Sequence, residues 1–166
     1  MSASKVLSWE EKNSAYLALS LRWLELRFRR LLDIQEGRAQ PPEARRELNS
    51  VTASRAAASR SPTPPALIAL ARRLNLSTFE RDTVLLAAAA DLDPRFTSLT
   101  RRSSGSASPT PAFALQVLAG GRFSAFAPGA PLRRERLVEL LPDPIWPLLS
   151  SPMRAGPDID VLLKGR

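Results

Sequence analysis

The most constraining feature of the sequence is a helix whose two ends are both marked, between Ser77 and Asp93. Ser77 followed by Glu80 predicts a capping box, in which the serine hydroxyl accepts from the Glu80 N–H and the Glu80 carboxylate accepts from the Ser77 N–H. Asp93-Pro94 ends the helix, because the residue before a proline is disfavoured in the helical region. The apolar positions between these ends are Phe79, Leu85, Leu86, Ala87–Ala90 and Leu92. The pattern predicts a core helix around which the rest of the chain packs.

A shorter helix is predicted directly before this core helix. Pro65 suits the first position of a helix, and the apolar residues Leu67, Ile68, Leu70, Ala71 and Leu74 follow it. Asn75 suits the left-handed conformation that often ends a helix. The two helices and the turn between them have helix-turn-helix spacing, although any helical bundle can contain such a pair.

The N-terminal part of the chain predicts a flexible leader at 1–12 and a long amphipathic helix at 13–35. A single apolar stripe recurs along the helix at Leu17, Leu21, Leu24, Phe28 and Leu31. Trp23 and Leu26 widen the apolar surface beyond what one seam needs. The helix therefore packs on the domain body, on a partner, or on both. Its predicted partner surface consists of Leu17, Leu21, Trp23, Leu24 and Phe28.

Residues 36–64 differ in composition from the segments on either side. They are rich in proline, alanine and arginine and contain few large apolar residues. Such a segment buries too little surface to offset the entropy lost on ordering, which predicts a flexible linker. A nascent helix is expected within it at 43–58.

The remaining residues, 65–166, predict one domain. Thr110 and Pro111 begin a third helix that runs to Ala119, and a short helical turn ending near Leu99 precedes it. Prolines at 142, 144 and 147 separate two short extended pieces, and Asp158 caps a final helix. Two helices, a third helix and a two-stranded ribbon follow the order of a winged helix. The predicted fold is mainly α with a small β-ribbon, a winged-helix domain preceded by a long N-terminal helix.

Composition excludes several classes of enzyme. The chain has no cysteine and no histidine, so thiol chemistry and a Ser-His-Asp mechanism are impossible. The close carboxylate pairs, Asp91 with Asp93 and Asp158 with Asp160, lie at helix ends, where capping and turn formation explain them. We therefore predict no catalytic residue, no metal site and no cofactor. The sequence has neither a spanning apolar run nor the apolar core of a signal peptide, which predicts a cytoplasmic protein with no membrane partner.

Several stretches resemble the N-terminal winged-helix domain of bacterial AAA+ ATPases that accompany phage-tail-like contractile injection systems. The resemblance covers about 13–34 and 65–163. Its most specific motifs are Ser77-Thr-Phe-Glu-Arg-Asp82 and Leu92-Asp-Pro-Arg-Phe96. Weaker similarity lies at Pro109–Leu115, Ser124–Arg134 and Asp158–Leu163. The chain departs from the family in lacking a Gly-x-x-x-x-Gly-Lys-[Ser/Thr] phosphate loop, so the ATPase module is absent from this sequence.

The resemblance implies a non-catalytic adaptor that docks a protein partner, either an ATPase module or an injection-system component. The alternative is a DNA-binding winged helix. The net charge of +8 is spread along the chain, and Arg133, Arg134 and Arg136 form a predicted basic ribbon that would contact phosphates without reading sequence. The predicted third helix is uncharged and has one polar residue, Gln116, which disfavours base readout. Nucleic-acid binding is therefore expected to be weak.

Overall fold

A computed structural model describes residues 6–141 and 147–166 of the chain. The described part is mainly helical, with one small two-stranded sheet, as the sequence predicts. Its helices are α1 (Trp9–Gln35), α2 (Pro42–Ala58), α3 (Ala66–Arg73), α4 (Thr78–Leu92), α5 (Arg95–Ser104), α6 (Pro111–Val117), α7 (Pro131–Arg134) and α8 (Ile159–Leu163). The strands are β1 (Val138–Leu140) and β2 (Met153–Ala155), and single 3₁₀ turns lie at Phe123–Phe126 and Leu148–Ser150.

Helix α4 lies at the centre of the fold, and both of its predicted ends are confirmed. The Glu80 N–H donates to the Ser77 hydroxyl at 3.1 Å, and the Ser77 N–H donates to a Glu80 carboxylate oxygen at 3.0 Å. Asp93 is extended and ends the helix before Pro94. Residues Phe79 and Asp82–Ala89 are all buried, and α4 contacts α1, α3, α5, α8 and β2. The alanines allow this close approach because their side chains are small.

Helix α1 begins at Trp9, four residues before the predicted start at Asn13. Ser8 and Glu11 form a second capping box, in which the Glu11 N–H donates to the Ser8 hydroxyl at 3.2 Å. Part of the predicted leader is therefore helical, while its residues 1–5 lie outside the described chain. The serine-to-glutamate spacing was the sequence signal for this start.

The segment predicted as a flexible linker contains α2, a helix of 17 residues that packs along α1. Leu48, Val51 and Arg55 are buried at helical spacing and face α1. The composition of 36–64 is too poor in apolar residues to form a core alone, but α1 supplies the missing apolar surface. The sequence interpretation is therefore corrected: the nascent helix expected at 43–58 is an ordered part of the fold.

The C-terminal strands are antiparallel, with Val138 opposite Ala155 and Leu140 opposite Met153. The single turn of α7 lies just before the first strand, which is three residues long. The prolines at 142 and 144 lie outside the described residues. Asp158 precedes α8 in a left-handed conformation, and its side chain makes no cap hydrogen bond, so its predicted capping role is wrong.

Buried Asn13 joins the first helix to the last. Its amide nitrogen donates to the Leu163 carbonyl of α8 at 3.0 Å, and its amide oxygen accepts from the Ala66 N–H of α3 at 2.8 Å. Nearby, the Trp9 indole N–H donates to the Pro64 carbonyl at 3.0 Å. The N-terminal half of α1 is thus fixed against the domain on one side, which leaves its other side next to α2.

We expect Gly156→Ala to destabilise the fold, because Gly156 lies directly against the backbone that leads into β1. A Cβ atom at this position would lie 1.7 Å from the Arg136 carbonyl oxygen, and that backbone cannot rotate aside as a side chain can. Overpacking of this kind lowers the free energy of unfolding by about 1–3 kcal/mol or more. Urea denaturation measures the loss. Gly129→Ala is the matched control, since nothing lies within 4 Å of its Cβ position, and an equal loss in both variants would contradict the expectation.

Candidate docking groove

The predicted partner surface of α1 lies in the interior of the protein. Leu24 and Phe28 are 0% exposed, Trp23 is also buried, and Leu17 and Leu21 are half-buried against the core. The Phe28 ring makes edge-to-face contacts with Phe96 at 5.7 Å and with Phe113 at 5.2 Å between ring centroids. These five residues therefore pack on the domain body, and the wide apolar surface of α1 is explained by α2, α4, α5 and α6 closing around it.

The three arginines of the predicted basic ribbon lie before the strands rather than on them. Arg133 and Arg134 belong to α7, and Arg136 lies in the following turn with a φ of +53°. An Arg133 guanidinium N–H donates to the Phe126 carbonyl at 3.3 Å, and Arg134 pairs with Glu135. The charges on the two strands neutralise each other, because the Arg154 side chain of β2 forms a salt bridge with Glu139 of β1 at 2.9 Å. The ribbon predicted from sequence is therefore not a row of cations.

The two helices directly before the ribbon, α6 and α7, have no surface suited to reading DNA bases. Helix α6 has seven uncharged residues, of which Phe113, Ala114 and Val117 are buried, while its one polar side chain, Gln116, is exposed. Helix α7 is a single turn. A recognition helix presents several polar side chains in the major groove, and these helices do not.

A buried ionic cluster joins α1, α2 and α4. The Arg55 guanidinium donates to the Asp82 carboxylate and to the Ser20 hydroxyl, each at 3.0 Å, and the Arg55 and Asp82 side chains are both 5% exposed. The guanidinium carbon lies 4.3 Å from the Trp23 ring centroid, which adds a cation–π contact. Arg81 also binds Asp82 at 3.0 Å. Burial lowers the pKa of Arg81, but the Asp82 charge and hydrogen bond outweigh burial and raise it overall.

An apolar groove of about 420 Å³ lies between the N-terminal half of α1 and the C-terminal half of α2. From α1 it is lined by Lys12, Ala15, Tyr16 and Leu19, and from α2 by Ser54 and Ala58. Leu7, Ser61, Thr63 and Pro65 complete its ends. Leu7 is exposed although it is a large apolar residue. Apart from Lys12, no charged residue lines the groove within the described chain, so its surface suits an apolar ligand.

Tyr16, which lines this groove, has an unsatisfied hydroxyl. The residue is 4% exposed, and among the described residues its hydroxyl is buried without a hydrogen-bond partner. A buried polar atom left in this state costs about 1–3 kcal/mol. The Arg55 guanidinium lies 5.7 Å from the Tyr16 ring centroid, so the ionic cluster is directly beneath this wall of the groove. Neither the groove nor the cluster is predicted from the sequence, because the composition of the segment that contains Ser54, Arg55 and Ala58 indicates a linker.

Of the close carboxylate pairs in the sequence, Asp93 makes a structural contact with its side chain. Asp93 accepts from the Arg95 side chain at 2.8 Å, and this hydrogen bond lowers the pKa of the Asp93 carboxyl. Asp91 is exposed at the end of α4, and Asp160 lies in the first turn of α8. Across 6–141 and 147–166, no group of three or more acidic residues could hold a metal ion. No helix in these ranges is both long and apolar enough to cross a bilayer.

The chain belongs to the family described as "Winged helix domain, variant", whose model matches residues 34–160, well over half of the chain. This match confirms the winged-helix fold predicted from the order of the elements. The matched range begins before α2, whereas the sequence interpretation began the domain at residue 65. Membership in the family is compatible with protein docking and with DNA binding. No curated protein and no solved structure matches the chain.

Proposed function

We propose that this protein is a non-catalytic docking domain whose groove between α1 and α2 binds a segment of a protein partner. The observation that carries the proposal is the groove itself: an apolar surface formed by two helices, with the Tyr16 side chain in its wall. Concave apolar surfaces with a few polar groups are typical of binding sites. We assign partner binding to this groove, whereas the sequence predicts it for the apolar stripe of α1.

The arrangement of the winged-helix elements supports docking over DNA binding. The uncharged, largely buried α6 and the single-turn α7 offer no reading surface, and two of the three ribbon arginines make contacts within the protein. The exposed Arg136 would contribute to non-specific, salt-sensitive binding. DNA binding through Arg133, Arg134 and Arg136 remains the alternative that the experiment below must exclude.

The resemblance to the N-terminal domains of AAA+ ATPases narrows the proposed partner. It favours an ATPase module on a separate polypeptide, or a component of a contractile injection system, both in the cytoplasm. The domain would then position the partner rather than hydrolyse ATP. The match to the winged-helix family supports the fold in this proposal, which a DNA-binding protein would share, and leaves the identity of the partner to experiment.

We expect Ala15→Gln to weaken partner binding about tenfold, which corresponds to about 1.4 kcal/mol. Ala15 is exposed on α1 and lines the groove, so a longer side chain would obstruct it without disturbing the core. Peptides selected from a displayed random library on the wild-type chain serve as the probe, and their dissociation constants are measured by fluorescence anisotropy. Ala18→Gln is the matched control, because Ala18 is exposed on the same helix and does not line the groove.

The same two variants test the DNA alternative. A labelled random-sequence duplex is titrated with each chain at low and at physiological ionic strength. We expect weak binding that is lost with added salt and is unaffected by Ala15→Gln. The docking proposal is overturned if selected peptides bind both variants as tightly as the wild type. It is also overturned if the wild type binds the duplex tightly at physiological ionic strength and binds no peptide.

A further inference from the structure

We infer that the occupant of the α1–α2 groove is an amphipathic helix of the partner protein, with an apolar face bordered by acidic residues. This inference rests on the proposed docking function and adds the chemistry of the ligand. Two independent features of the groove point to it: the helical spacing of its small-residue walls and the sign of its charge.

The groove walls are two antiparallel helices with their lining residues in register. Two contacts show that the helices run in opposite directions. Arg22 of α1 pairs with Glu47 of α2 at 2.7 Å. Ser20, which lies nearer the start of α1, binds Arg55, which lies further along α2. The α1 wall consists of positions i, i+3, i+4 and i+7, namely Lys12, Ala15, Tyr16 and Leu19. The α2 wall has positions four residues apart, Ser54 and Ala58. A third helix laid between two such stripes meets both at its own helical repeat.

The size of the lining residues favours a helix over a single inserted side chain. Ala15, Ser54 and Ala58 are small, and Ser61 continues the same edge beyond the end of α2. Packed helix axes approach to about 8–10 Å, and small side chains at the contact give the lower end of that range. Leu7 and Leu19 then provide apolar contacts at the ends of the groove. The observed shape therefore matches an extended apolar face.

The charge of the groove sets the sign of the partner. Lys12 is the charged lining residue, it is exposed, and it has no ion-pair partner among the described residues. Arg60, exposed just beyond α2, also has no ion pair there, and its side chain binds only the Ala56 carbonyl. Among the described residues, no acidic side chain lines the groove to offset Lys12. An acidic border on the partner helix is therefore complementary, and a basic one is repelled.

The test uses the full chain and peptides selected from a displayed random library, keeping those whose binding is lost on Ala15→Gln. We expect their sequences to carry apolar residues at helical spacing with Asp or Glu alongside, and the synthetic peptides to become helical on binding by circular dichroism.

Charge variants complete the test. Lys12→Glu should weaken binding severalfold at low salt and less at high salt, whereas Ser14→Glu, on an exposed position of α1 outside the groove, should change it little. Selected peptides that are basic, or that stay non-helical on binding, would overturn the inference while leaving groove docking intact. Failure to recover any peptide sensitive to Ala15→Gln would overturn the docking function as well.

Discussion

Replacing Arg55 with alanine should lower the free energy of unfolding by about 3–5 kcal/mol, because it leaves a buried carboxylate without its main partner. The Asp82 side chain is only 5% exposed, and after the change only the neighbouring Arg81 would bind it. The variant also loses the hydrogen bond to Ser20 and the cation–π contact with Trp23. Urea denaturation followed by circular dichroism measures the change.

Arg45→Ala is the matched control for this variant, since Arg45 is exposed on the same helix and makes no ion pair among the described residues. The control should change stability by about 0.5 kcal/mol or less. Adding Asp82→Ala to Arg55→Ala should cost less than the sum of the two single changes, with a coupling energy of about 0.5–3 kcal/mol. Equal losses for Arg55→Ala and Arg45→Ala would show that α2 is not fixed to the domain through this cluster.

Phe28→Ala should also cost about 3–5 kcal/mol, because it empties a fully buried position in the centre of the core. The ring contacts Phe96 of α5 and Phe113 of α6 edge-to-face, so the variant loses two aromatic pairs as well as buried area. Differential scanning calorimetry should report a correspondingly lower melting temperature.

Ile34→Ala provides the comparison, because Ile34 lies on the same helix and is 65% exposed. It should change stability little. This pair of variants separates the two roles that the sequence allows for α1. If Phe28→Ala left stability unchanged and weakened partner binding, Phe28 would belong to the partner surface. That result would contradict the packing described above.

Local signals in the sequence were sufficient to predict the central helix, α4. The Ser77–Glu80 capping box and Asp93-Pro94 defined α4 to within a residue at each end, because capping and proline geometry depend only on neighbouring residues. Asn75 adopts the predicted left-handed conformation, with a φ of +54°. A second capping-box pair, Ser8 with Glu11, marks the start of α1, four residues before the start predicted from its apolar pattern.

The docking groove could not be predicted in this way, because its components interact over long separations in sequence. Helix α2 buries its few apolar residues mainly against α1, so the composition of 36–64 alone indicates disorder. The partners of Arg55 are 35 residues upstream at Ser20 and 27 residues downstream at Asp82, and no local pattern relates these positions. The apolar stripe of α1 is present as predicted. The sequence of such a stripe does not show whether the residues that pack against it belong to the same chain or to a partner protein.

The most direct test of the docking account is to map the binding site by nuclear magnetic resonance. Isotope-labelled full chain is titrated with a synthetic peptide selected on the wild type, and backbone amide shifts are followed. We predict that the largest changes fall on two stretches, Lys12–Leu19 of α1 and Ser54–Ser61 at the end of α2, with little change at Arg133–Arg136. Changes centred on Arg133–Arg136 or on α6, with the α1–α2 groove undisturbed, would contradict the account.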